Sequence, residues 1–289
     1  MKIGFIGLGN MGLPMAENLQ KAGYEVTGFD IKKNINTVIK VSNGFENFLI
    51  DNDVIFTMLP SGKEVSAVYN QIVAKSISSR IMIDCSTIDI KSTHSIAELA
   101  KKHRLQTLDA PVSGGVVGAK DGTLTFMVGG DQKAFEKVKP LFEIMGKKAI
   151  YCGKSGSGQA AKMCNNMILG ISMIGVCEAF TLAEKIGLDF EKLYEVSSNS
   201  SGSCWALNTY SPAPGIGPKT PADNNYEPGF SSDLMLKDLS LAQNAAEQTN
   251  SHTPLGLHAM QIYEELMKEG GQGKDFSYVL PLFSKKSRN

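Results

Sequence analysis

Residues 2–12 read Lys2-Ile3-Gly4-Phe5-Ile6-Gly7-Leu8-Gly9-Asn10-Met11-Gly12. The first five residues predict a short buried strand, and a helical run then continues to Ala22, where Gly23 ends it. A second strand follows at 25–29 and ends at Asp30. The order strand, Gly-x-Gly-x-x-Gly, helix, strand and acid predicts a unit that binds a dinucleotide, because each part has a physical task there.

The three glycines of this loop have different tasks. Gly7 permits a tight turn, Gly9 lets the backbone approach a pyrophosphate, and Gly12 lets the helix pack closely on the strand. The helix N-terminus adds free N–H groups and the positive end of the helix dipole, which favour phosphate. The predicted cofactor contacts in the loop are Gly7, Leu8, Gly9, Asn10, Met11 and Gly12. The alternative is a glycine-rich turn that binds nothing.

Asp30 bears on which dinucleotide binds. It follows Gly7 at about the twenty-residue offset expected of an acid that binds the ribose hydroxyls. A carboxylate accepts hydrogen bonds from a ribose 2′-OH and repels a 2′-phosphate, so the sequence favours NAD over NADP. Lys32 and Lys33 follow closely and would attract a phosphate, but we interpret them as solvated loop charges.

Composition bounds the size and the partners of the protein. The 289 residues are 42% hydrophobic and 20% charged, which is enough for a large core and two domains. Lysine plus arginine equals aspartate plus glutamate at 29 each, so no net field attracts nucleic acid or an anionic membrane. No uninterrupted apolar run reaches the ~18 residues of a membrane span. A strand that begins at residue 2 leaves no room for a leader peptide, unless the sequence is a trimmed mature form.

The cysteines and histidines argue against several kinds of site. The five cysteines include no Cys-x-x-Cys pair, which favours a reducing, cytosol-like compartment. The four histidines include no pair spaced i, i+4, so we expect no metal site of the zinc type. No Gly-x-Ser-x-Gly motif lies on a strand-to-helix turn, which argues against a serine hydrolase.

Strands and helices alternate along the first half of the chain. Further strands are predicted at 53–60, 81–87 and 123–130, with helices at 93–104 and 132–145. This alternation predicts a mostly parallel sheet, doubly wound, in which ligands bind at the carboxyl ends of the strands. We therefore expect Leu59-Pro60, Ser86-Thr87 and the turn at 111–115 to lie near one crevice.

From residue 157 onward the signals for strands stop. The sequence therefore predicts an α/β dinucleotide-binding domain over 1–156 and an all-helical domain over 157–289. A loop at 211–229 contains five of the eleven prolines and is bordered by Trp205, Tyr210 and Tyr226. A long loop in a compact domain is usually functional or disordered, and the bordering aromatic residues favour an ordered flap.

The segment 153–166 places a lysine at the start of a buried helix. Lys162 falls in the first turns, and Asn165 and Asn166 follow on the same face three and four residues later. The next residues, 167–176, are almost all apolar, as in a helix inside a protein. Such a lysine is either a functional group or a side chain that extends from the helix end to water, and this segment alone does not separate the two.

Four blocks of the sequence resemble the β-hydroxyacid dehydrogenases, the family related to 6-phosphogluconate dehydrogenase. They are residues 7–12, 109–115, 153–166 and 230–238, the last on a predicted helix with a second lysine, Lys237. The sequence of the C-terminal half, including residues 200–205 and 234–239, is most similar to the branch of 3-hydroxyisobutyrate dehydrogenases. The resemblance implies a Rossmann domain joined by a long helix to an all-helical domain. That second domain would make the interface of a homodimer or homotetramer.

The resemblance also implies roles for single residues. Lys162 matches the catalytic lysine, and Asn166 matches an amide that contacts the substrate. Lys237 matches a lysine beside both the nicotinamide and the substrate. The loop that holds the substrate carboxylate matches Ser113, Gly114 and Gly115. The remaining implied cofactor contacts are Leu59, Pro60, Glu64 and Thr87, although relatives often carry an uncharged amide at the position of Glu64.

Three of these assignments have structural alternatives. Residues 113–115 would also suit a plain tight turn, Lys237 and Asp238 would suit a solvated ion pair, and Thr87 would suit the N-cap of the next helix. The segment 30–53 is shorter than is usual in the family. The resemblance therefore does not identify the residues that line the adenine side of the cofactor site. It also does not determine the substrate preference, because Ser203 stands at a position that varies among relatives.

The implied reaction is reversible hydride transfer between NAD and the primary alcohol of a small β-hydroxy acid. No histidine is placed to accept the hydroxyl proton, so Lys162 is the candidate base. A free lysine titrates near pH 10.4, so a base at neutral pH needs its pKa lowered by about three units, roughly 4 kcal/mol. Burial and the like charge of Lys237 both act in that direction.

Two other functions remain open from the sequence. One is a reductase of tartronate or succinic semialdehyde, and the other is a non-catalytic protein that binds NAD. The expected compartment is the cytoplasm, or the mitochondrial matrix if the chain is a trimmed eukaryotic form.

Overall fold

The computed structural model of the protein describes residues 1–50, 52–75 and 80–287. The chain divides into two compact units, Met1–Lys162 and Met163–Asn289. A long helix that begins at Ser157 crosses this division. Each unit has hydrophobic core clusters of its own.

Unit 1 alternates strands and helices, as the sequence predicts. Its strands are β1 (Lys2–Ile6), β2 (Glu25–Phe29), β3 (Lys40–Val41), β4 (Val54–Thr57), β5 (Ile81–Asp84), β6 (Gln106–Asp109), β7 (Val112–Ser113), β8 (Leu124–Gly130) and β9 (Gly146–Gly153). Its helices are α1 (Gly12–Lys21), α2 (Phe45–Ile50), α3 (Gly62–Ala74), α4 (Ile90–Lys102), α5 (Gly115–Asp121) and α6 (Gln132–Met145).

The strands form one sheet in the order β3-β2-β1-β4-β5-β6-β8-β7, with β9 beside β8. Neighbouring strands are parallel from β3 to β6, which confirms the predicted Rossmann-like, mostly parallel sheet. β8 runs antiparallel to β6 and β7. The sequence did not predict this direction, because it depends on the partner strands and leaves no mark in the sequence of β8 itself. The sequence did not predict β9, since this half-exposed strand follows α6 without a turn.

Helices cover both faces of the sheet. On one face the rings of Phe5 and Phe56 stack with centroids 5.5 Å apart, in a cluster that includes side chains of α1 and α6. On the other face Ile55 and Met82 pack with side chains of α3 and α4. The central strands are therefore buried on both sides, which is why they read as continuous apolar runs rather than as alternating patterns.

Unit 2 is built from helices, which confirms the predicted helical second domain. They are α7 (Ser157–Ile186), whose first turns belong to unit 1, α8 (Phe190–Ser198), α9 (Trp205–Asn208), α10 (Ser232–Gln248), α11 (Pro254–Lys268) and α12 (Val279–Lys286). Their core contains the large buried side chains of Phe180, Tyr263 and Phe276.

The proline-rich loop before α10 is fixed by hydrogen bonds, as expected of an ordered flap. The buried hydroxyl of Tyr226 donates to the Pro212 carbonyl at 2.9 Å. At the edge of the flap, the buried carboxylate of Asp275 accepts hydrogen bonds from the Tyr210 hydroxyl at 2.9 Å and from the Gly229 N–H at 3.0 Å. The flap is therefore held by groups within unit 2 at both of its ends.

Helix α7 is long and apolar enough to cross a membrane when judged by length and composition alone. Its most apolar window has a mean hydropathy of 1.6, because glycine, serine and cysteine between the apolar residues do not break the pattern. The expectation that no such stretch exists was therefore too strict. Half of that window is buried inside the protein, as is common for the central helix of a soluble domain.

Candidate active site

The carboxyl ends of the parallel strands bring most of the predicted site residues of unit 1 to one edge of the sheet. Gly7 directly follows β1, Asp30 directly follows β2, and Leu59 and Thr87 lie in the loops after β4 and β5. Backbone pairing continues beyond the strands, since the Gly7 N–H donates to the Phe29 carbonyl at 2.9 Å. Four chain segments assigned to the cofactor thus share this edge.

The glycine loop has the packing that a dinucleotide site requires. Gly7 has a φ of +92°, and a Cβ there would overlap the carbonyl oxygen of Met58. A Cβ at Gly12 would overlap the carbonyl oxygen of Gly7, so helix and strand are in close contact. At Gly9, in contrast, a Cβ would meet no described atom within 4 Å, which leaves room for a pyrophosphate. Within the described residues no side chain caps the first turn of α1, so its N–H groups suit a phosphate.

Asp30 is half-buried and holds the glycine loop in place. Its Oδ2 atom accepts a hydrogen bond from the Leu8 N–H at 2.7 Å, and its Oδ1 atom accepts one from the Lys32 N–H at 2.8 Å. The Leu8 side chain is buried and packs over Gly28, where a Cβ would lie 2.7 Å from it. Leu8 therefore offers only its backbone to a ligand, and Asp30 links the loop to the end of β2.

A buried aspartate that the sequence did not single out ends β5. Asp84 accepts hydrogen bonds at Oδ1 from the Thr57 hydroxyl at 2.7 Å and from the Ser86 hydroxyl at 2.6 Å. Burial raises the pKa of Asp84 to about 6, against the opposing effect of these donors. Its place directly after three apolar strand residues was the available signal, because a carboxylate ending a buried strand needs partners.

A second buried aspartate, Asp109, ends β6 and fixes the start of α7. Its Oδ1 atom accepts a hydrogen bond from the Gly156 N–H at 2.8 Å, and its Oδ2 atom accepts one from the Gln159 N–H at 3.0 Å. Burial raises the pKa of Asp109, and these two N–H groups oppose that rise. Asp109 thus provides the capping that helix starts require, from a strand rather than from the preceding residue.

Lys162 lies in the first turns of α7, and its side chain is only 6% exposed. A lysine that extends to water from a helix end would be far more exposed, so the alternative of a solvated lysine is wrong. The turn that carries Lys162 follows directly on the residues that Asp109 anchors to the end of β6. The lysine is therefore a buried group of unit 1 near the edge where the cofactor-assigned loops meet.

The loop assigned to the substrate carboxylate is a sharp turn between β7 and α5. Gly114 and Gly115 have φ values of +134° and +62°, a conformation that residues with a side chain rarely adopt. Gly114 is exposed and Ser113 is half-buried, so both can be reached from solvent. This geometry fits a carboxylate-binding loop and a plain tight turn equally well.

In unit 2, Asn166 and Lys237 both contact Asp238, a residue for which the sequence predicted no role in the site. The buried carboxylate of Asp238 accepts a hydrogen bond from the Asn166 amide at 2.5 Å and lies 3.7 Å from the Lys237 ammonium. Asp238 is only 3% exposed and the Lys237 side chain is 33% exposed, so the ion pair that the sequence offered as an alternative is present, with only its lysine in contact with solvent. The signal was the position of Asp238 on the buried stripe of α10, between Met235 and Ala242.

Two further predicted cofactor contacts lie near helix starts. Glu64 is exposed and accepts a hydrogen bond from the hydroxyl of Ser61, the N-cap of α3, and this bond lowers the pKa of Glu64. The N-cap of α4 is Asp89, which accepts from the Ser92 N–H at 2.7 Å. The interpretation of Thr87 as a helix cap is therefore wrong. Pro60 is exposed and Leu59 is half-buried after β4.

The family models for two domains match consecutive parts of the chain. The model described as the NAD-binding domain of 6-phosphogluconate dehydrogenase matches residues 2–153. The model described as NAD-binding of NADP-dependent 3-hydroxyisobutyrate dehydrogenase matches residues 156–283. Together they span nearly the whole sequence.

Full-length relatives agree with these matches. The chain is 45% identical to the mitochondrial 3-hydroxyisobutyrate dehydrogenase of Drosophila melanogaster, over 98% of this chain and 89% of that protein. It is 43% identical to the NAD-dependent L-serine dehydrogenase of Pseudomonas aeruginosa, over 98% and 97%. The solved structure of 3-hydroxyisobutyrate dehydrogenase from Mycobacterium tuberculosis with L-serine superposes with a TM-score of 0.93 at 43% identity, over 97% of this chain and 98% of that one.

Proposed function

The chain belongs to the 3-hydroxyisobutyrate dehydrogenases, a branch of the β-hydroxyacid dehydrogenase family, and we propose that it oxidises 3-hydroxyisobutyrate to methylmalonate semialdehyde with NAD. The observation that carries the proposal is the buried Lys162 at the cofactor edge of unit 1. Burying a lysine side chain is costly, and function is a usual reason for keeping one buried.

The residues of unit 1 divide the work of binding. The glycine loop and α1 would hold the pyrophosphate, Asp30 would bind the adenine-side ribose, and Leu59, Pro60, Glu64 and Thr87 would contact the rest of the dinucleotide. When bound, NAD supplies the hydride acceptor. The carboxylate of Asp30 supports NAD over NADP, since it repels a 2′-phosphate.

Lys162 would accept the proton of the substrate hydroxyl as hydride leaves the neighbouring carbon. To do so it must be neutral in the enzyme that binds the alcohol, and in the reverse direction it would donate the proton as an ammonium. Ser113, Gly114 and Gly115 would bind the substrate carboxylate. Asn166 would contact the substrate through its amide, and Lys237 would lie beside the nicotinamide.

L-Serine is the second candidate substrate. One full-length relative is named for L-serine oxidation, and the superposed mycobacterial structure contains L-serine. Both acids carry a primary alcohol β to a carboxylate, so the same residues serve either one. They differ at the carbon between these groups, which bears a methyl group in one acid and an ammonium in the other.

The exposed apolar face of α7 supports a homo-oligomer. Ile168, Leu182 and Ile186 are 63%, 60% and 68% exposed, and the exposed Gly175 lies midway between the first two. A spacing of seven residues is that of helices that pack along a seam. A second copy of the chain would cover this face in a dimer or tetramer. We place the enzyme in the cytoplasm, or in the mitochondrial matrix if the chain is eukaryotic.

The test is NADH formation with 3-hydroxyisobutyrate, L-serine and other β-hydroxy acids, with NAD and NADP in parallel. The semialdehydes of tartronate and succinate are offered in the reductive direction. Turnover of 3-hydroxyisobutyrate with NAD at the highest kcat/KM supports the proposal, and a preference for another acid replaces the substrate. Absence of any turnover, with NAD still bound, would leave a non-catalytic NAD-binding protein.

Variants of Lys162 test the role of that residue. Lys162→Ala should keep NAD binding and lower kcat by about 10²–10⁴, the range attributed to general acid–base catalysis. Lys162→Arg should not restore activity, because arginine stays protonated and does not accept the proton. Oxidation by Lys162→Arg at near wild-type rate with the same pH profile would show that Lys162 is only a binding charge.

A further inference from the structure

Gln159 is fully buried in the first turn of α7, and both polar atoms of its side chain are used. Its Nε2 atom donates to the Ser86 carbonyl at 2.7 Å, and its Oε1 atom accepts from the Ile88 N–H at 3.2 Å. These two backbone groups belong to the peptide bonds on either side of Thr87. A single side-chain amide therefore makes two hydrogen bonds to the loop that is assigned to the cofactor, from a position more than seventy residues away along the chain.

The loop after β5 is in turn bonded to the loop after β4. The Ser86 hydroxyl accepts a hydrogen bond from the Leu59 N–H at 2.9 Å and donates to Asp84 at 2.6 Å. Ser86 is itself buried, so its bonds do not compete with solvent. A continuous buried hydrogen-bond network thus leads from Leu59 through Ser86 to Gln159.

At the other end, the network reaches the helix turn that carries Lys162. The Gln159 N–H donates to Asp109 at 3.0 Å, which fixes the backbone of Gln159 as well as its side chain. Lys162 follows three residues later, a rise of about 4.5 Å along the helix axis. The intervening backbone is helical and leaves little freedom between the two side chains.

We propose that Gln159 is a positioning residue that sets the distance between the Thr87 loop and Lys162. This role rests on the proposed function, in which Thr87 contacts the cofactor and Lys162 takes the proton. Hydride and proton leave the same alcohol group, so the Thr87 loop and Lys162 must be held at a fixed distance from each other. Misplacement of reacting groups by about 1 Å can lower a rate about 10²-fold.

A purely structural amide would also explain the burial and the two hydrogen bonds. An apolar side chain at this position would leave the Ser86 carbonyl and the Ile88 N–H without these partners, at a cost of about 1–3 kcal/mol in stability. The two interpretations differ in what they predict for the rate of the chemical step.

The test compares two variants at Gln159. Gln159→Leu keeps a similar volume and removes both the donor and the acceptor. We expect kcat to fall about 10²-fold, and the primary deuterium isotope effect on kcat to rise as hydride transfer becomes more rate-limiting. The KM for the acid should stay within about twofold, because the loop assigned to its carboxylate is not part of this network.

The pH dependence of kcat in Gln159→Glu separates the positioning role from a loss of stability. A protonated glutamic acid has one donor and one acceptor and mimics the amide, whereas the ionised form has no donor for the Ser86 carbonyl. The ratio of its kcat to the wild-type kcat should therefore rise as the pH falls. The same ratio for Gln159→Leu should stay flat over that range.

Asn52 provides the matched control in the same unit. It is buried, and its Nδ2 atom donates to the Phe48 carbonyl at 2.6 Å, but it precedes β4 at the opposite edge of the sheet. Asn52→Leu should lower the melting temperature and leave kcat and the isotope effect unchanged. Equal losses of kcat in Asn52→Leu and Gln159→Leu, or wild-type kcat and isotope effect in Gln159→Leu, would overturn the proposal.

Failure of the proposed function would be visible separately. If the wild-type protein turns over no hydroxy acid, the affinities for NAD and for ADP-ribose are compared, because ADP-ribose lacks the nicotinamide. Gln159→Leu should then weaken NAD binding more than ADP-ribose binding, and should speed amide hydrogen exchange at 86–88. Equal affinities to those of the wild type, with unchanged exchange, would overturn the positioning role in that case as well.

Discussion

Replacement of Asp238 should weaken unit 2 and release the amide assigned to the substrate. The carboxylate accepts from the Asn166 amide at 2.5 Å, and both residues are at least 97% buried. In Asp238→Ala a buried amide N–H loses its partner, which costs about 1–3 kcal/mol. The Lys237 ion pair spans 3.7 Å, and its lysine side chain is 33% exposed, so solvent reduces its contribution to about 0.2–1 kcal/mol. We expect a total loss of about 1–4 kcal/mol in the free energy of unfolding.

Asp238→Asn separates the hydrogen bond from the charge. The side-chain oxygen of asparagine still accepts from the Asn166 amide, so only the ion pair and the stronger charge-assisted bond are lost. We expect a loss of about 1 kcal/mol, together with a smaller rise in the KM for the hydroxy acid than in Asp238→Ala. NAD binding by the glycine loop should stay near normal in both variants.

The assay is urea unfolding followed by tryptophan fluorescence. The chain has a single tryptophan, Trp205, which belongs to unit 2 and stacks on Tyr210 with ring centroids 4.9 Å apart. The signal therefore follows the unit that contains Asp238. Glu247→Ala, on the exposed face of the same helix, is the control and should change stability by less than about 0.5 kcal/mol. A loss in Asp238→Ala no larger than in this control would refute the reasoning.

Three further predictions concern unit 1. Asp30→Asn keeps an oxygen for the Leu8 N–H but loses the charge, so the kcat/KM ratio of NAD to NADP should fall; a wild-type enzyme that already prefers NADP would contradict this. Gly114→Val, at a φ of +134°, should raise the KM for the acid sharply while NAD titrations stay near normal; an unchanged KM would place the acid elsewhere. Asp84 has a folded pKa of about 6, above its ordinary value, so its contribution to stability is complete below about pH 4 and is lost as the pH rises through 6. Unfolding free energies measured across that range should therefore fall with pH by more in the wild type than in Asp84→Asn, and parallel curves would refute the assignment.

The sequence predicted those parts of the fold whose cause is local. Only glycine fits at positions 7 and 12, because any side chain there would overlap a backbone oxygen. Such constraints are visible in the sequence as a motif. The buried strands were visible as apolar runs for a similar reason. The direction of β8 and the existence of β9 depend on pairing with distant segments, so the sequence carried no local mark of them.

The same distinction applies to the candidate site. Lys162 and the glycine loop could be proposed as site residues because they stand in motifs. Gln159 and Asp238 could not be assigned a role, although both lie on buried helical stripes, because their partners are about seventy residues away along the chain. A polar residue on a buried stripe signals that a partner exists without saying which one it is.

The distribution of buried polar groups is itself an argument for where the chemistry occurs. A core selected for stability alone would place apolar side chains at most of these positions, since buried polar groups must be paired at little net gain. In unit 1 many of the buried polar side chains instead cluster at one edge: Thr57, Asp84, Ser86, Asp109, Gln159 and Lys162. Thr57, Asp84 and Asp109 end three neighbouring strands, and Ser86 lies two residues after one of them. Gln159 and Lys162 lie in the first turns of the helix that Asp109 anchors. Such a concentration at the ligand-binding edge of a doubly wound sheet is expected where geometry must be held for a reaction, and it is not expected from folding requirements alone.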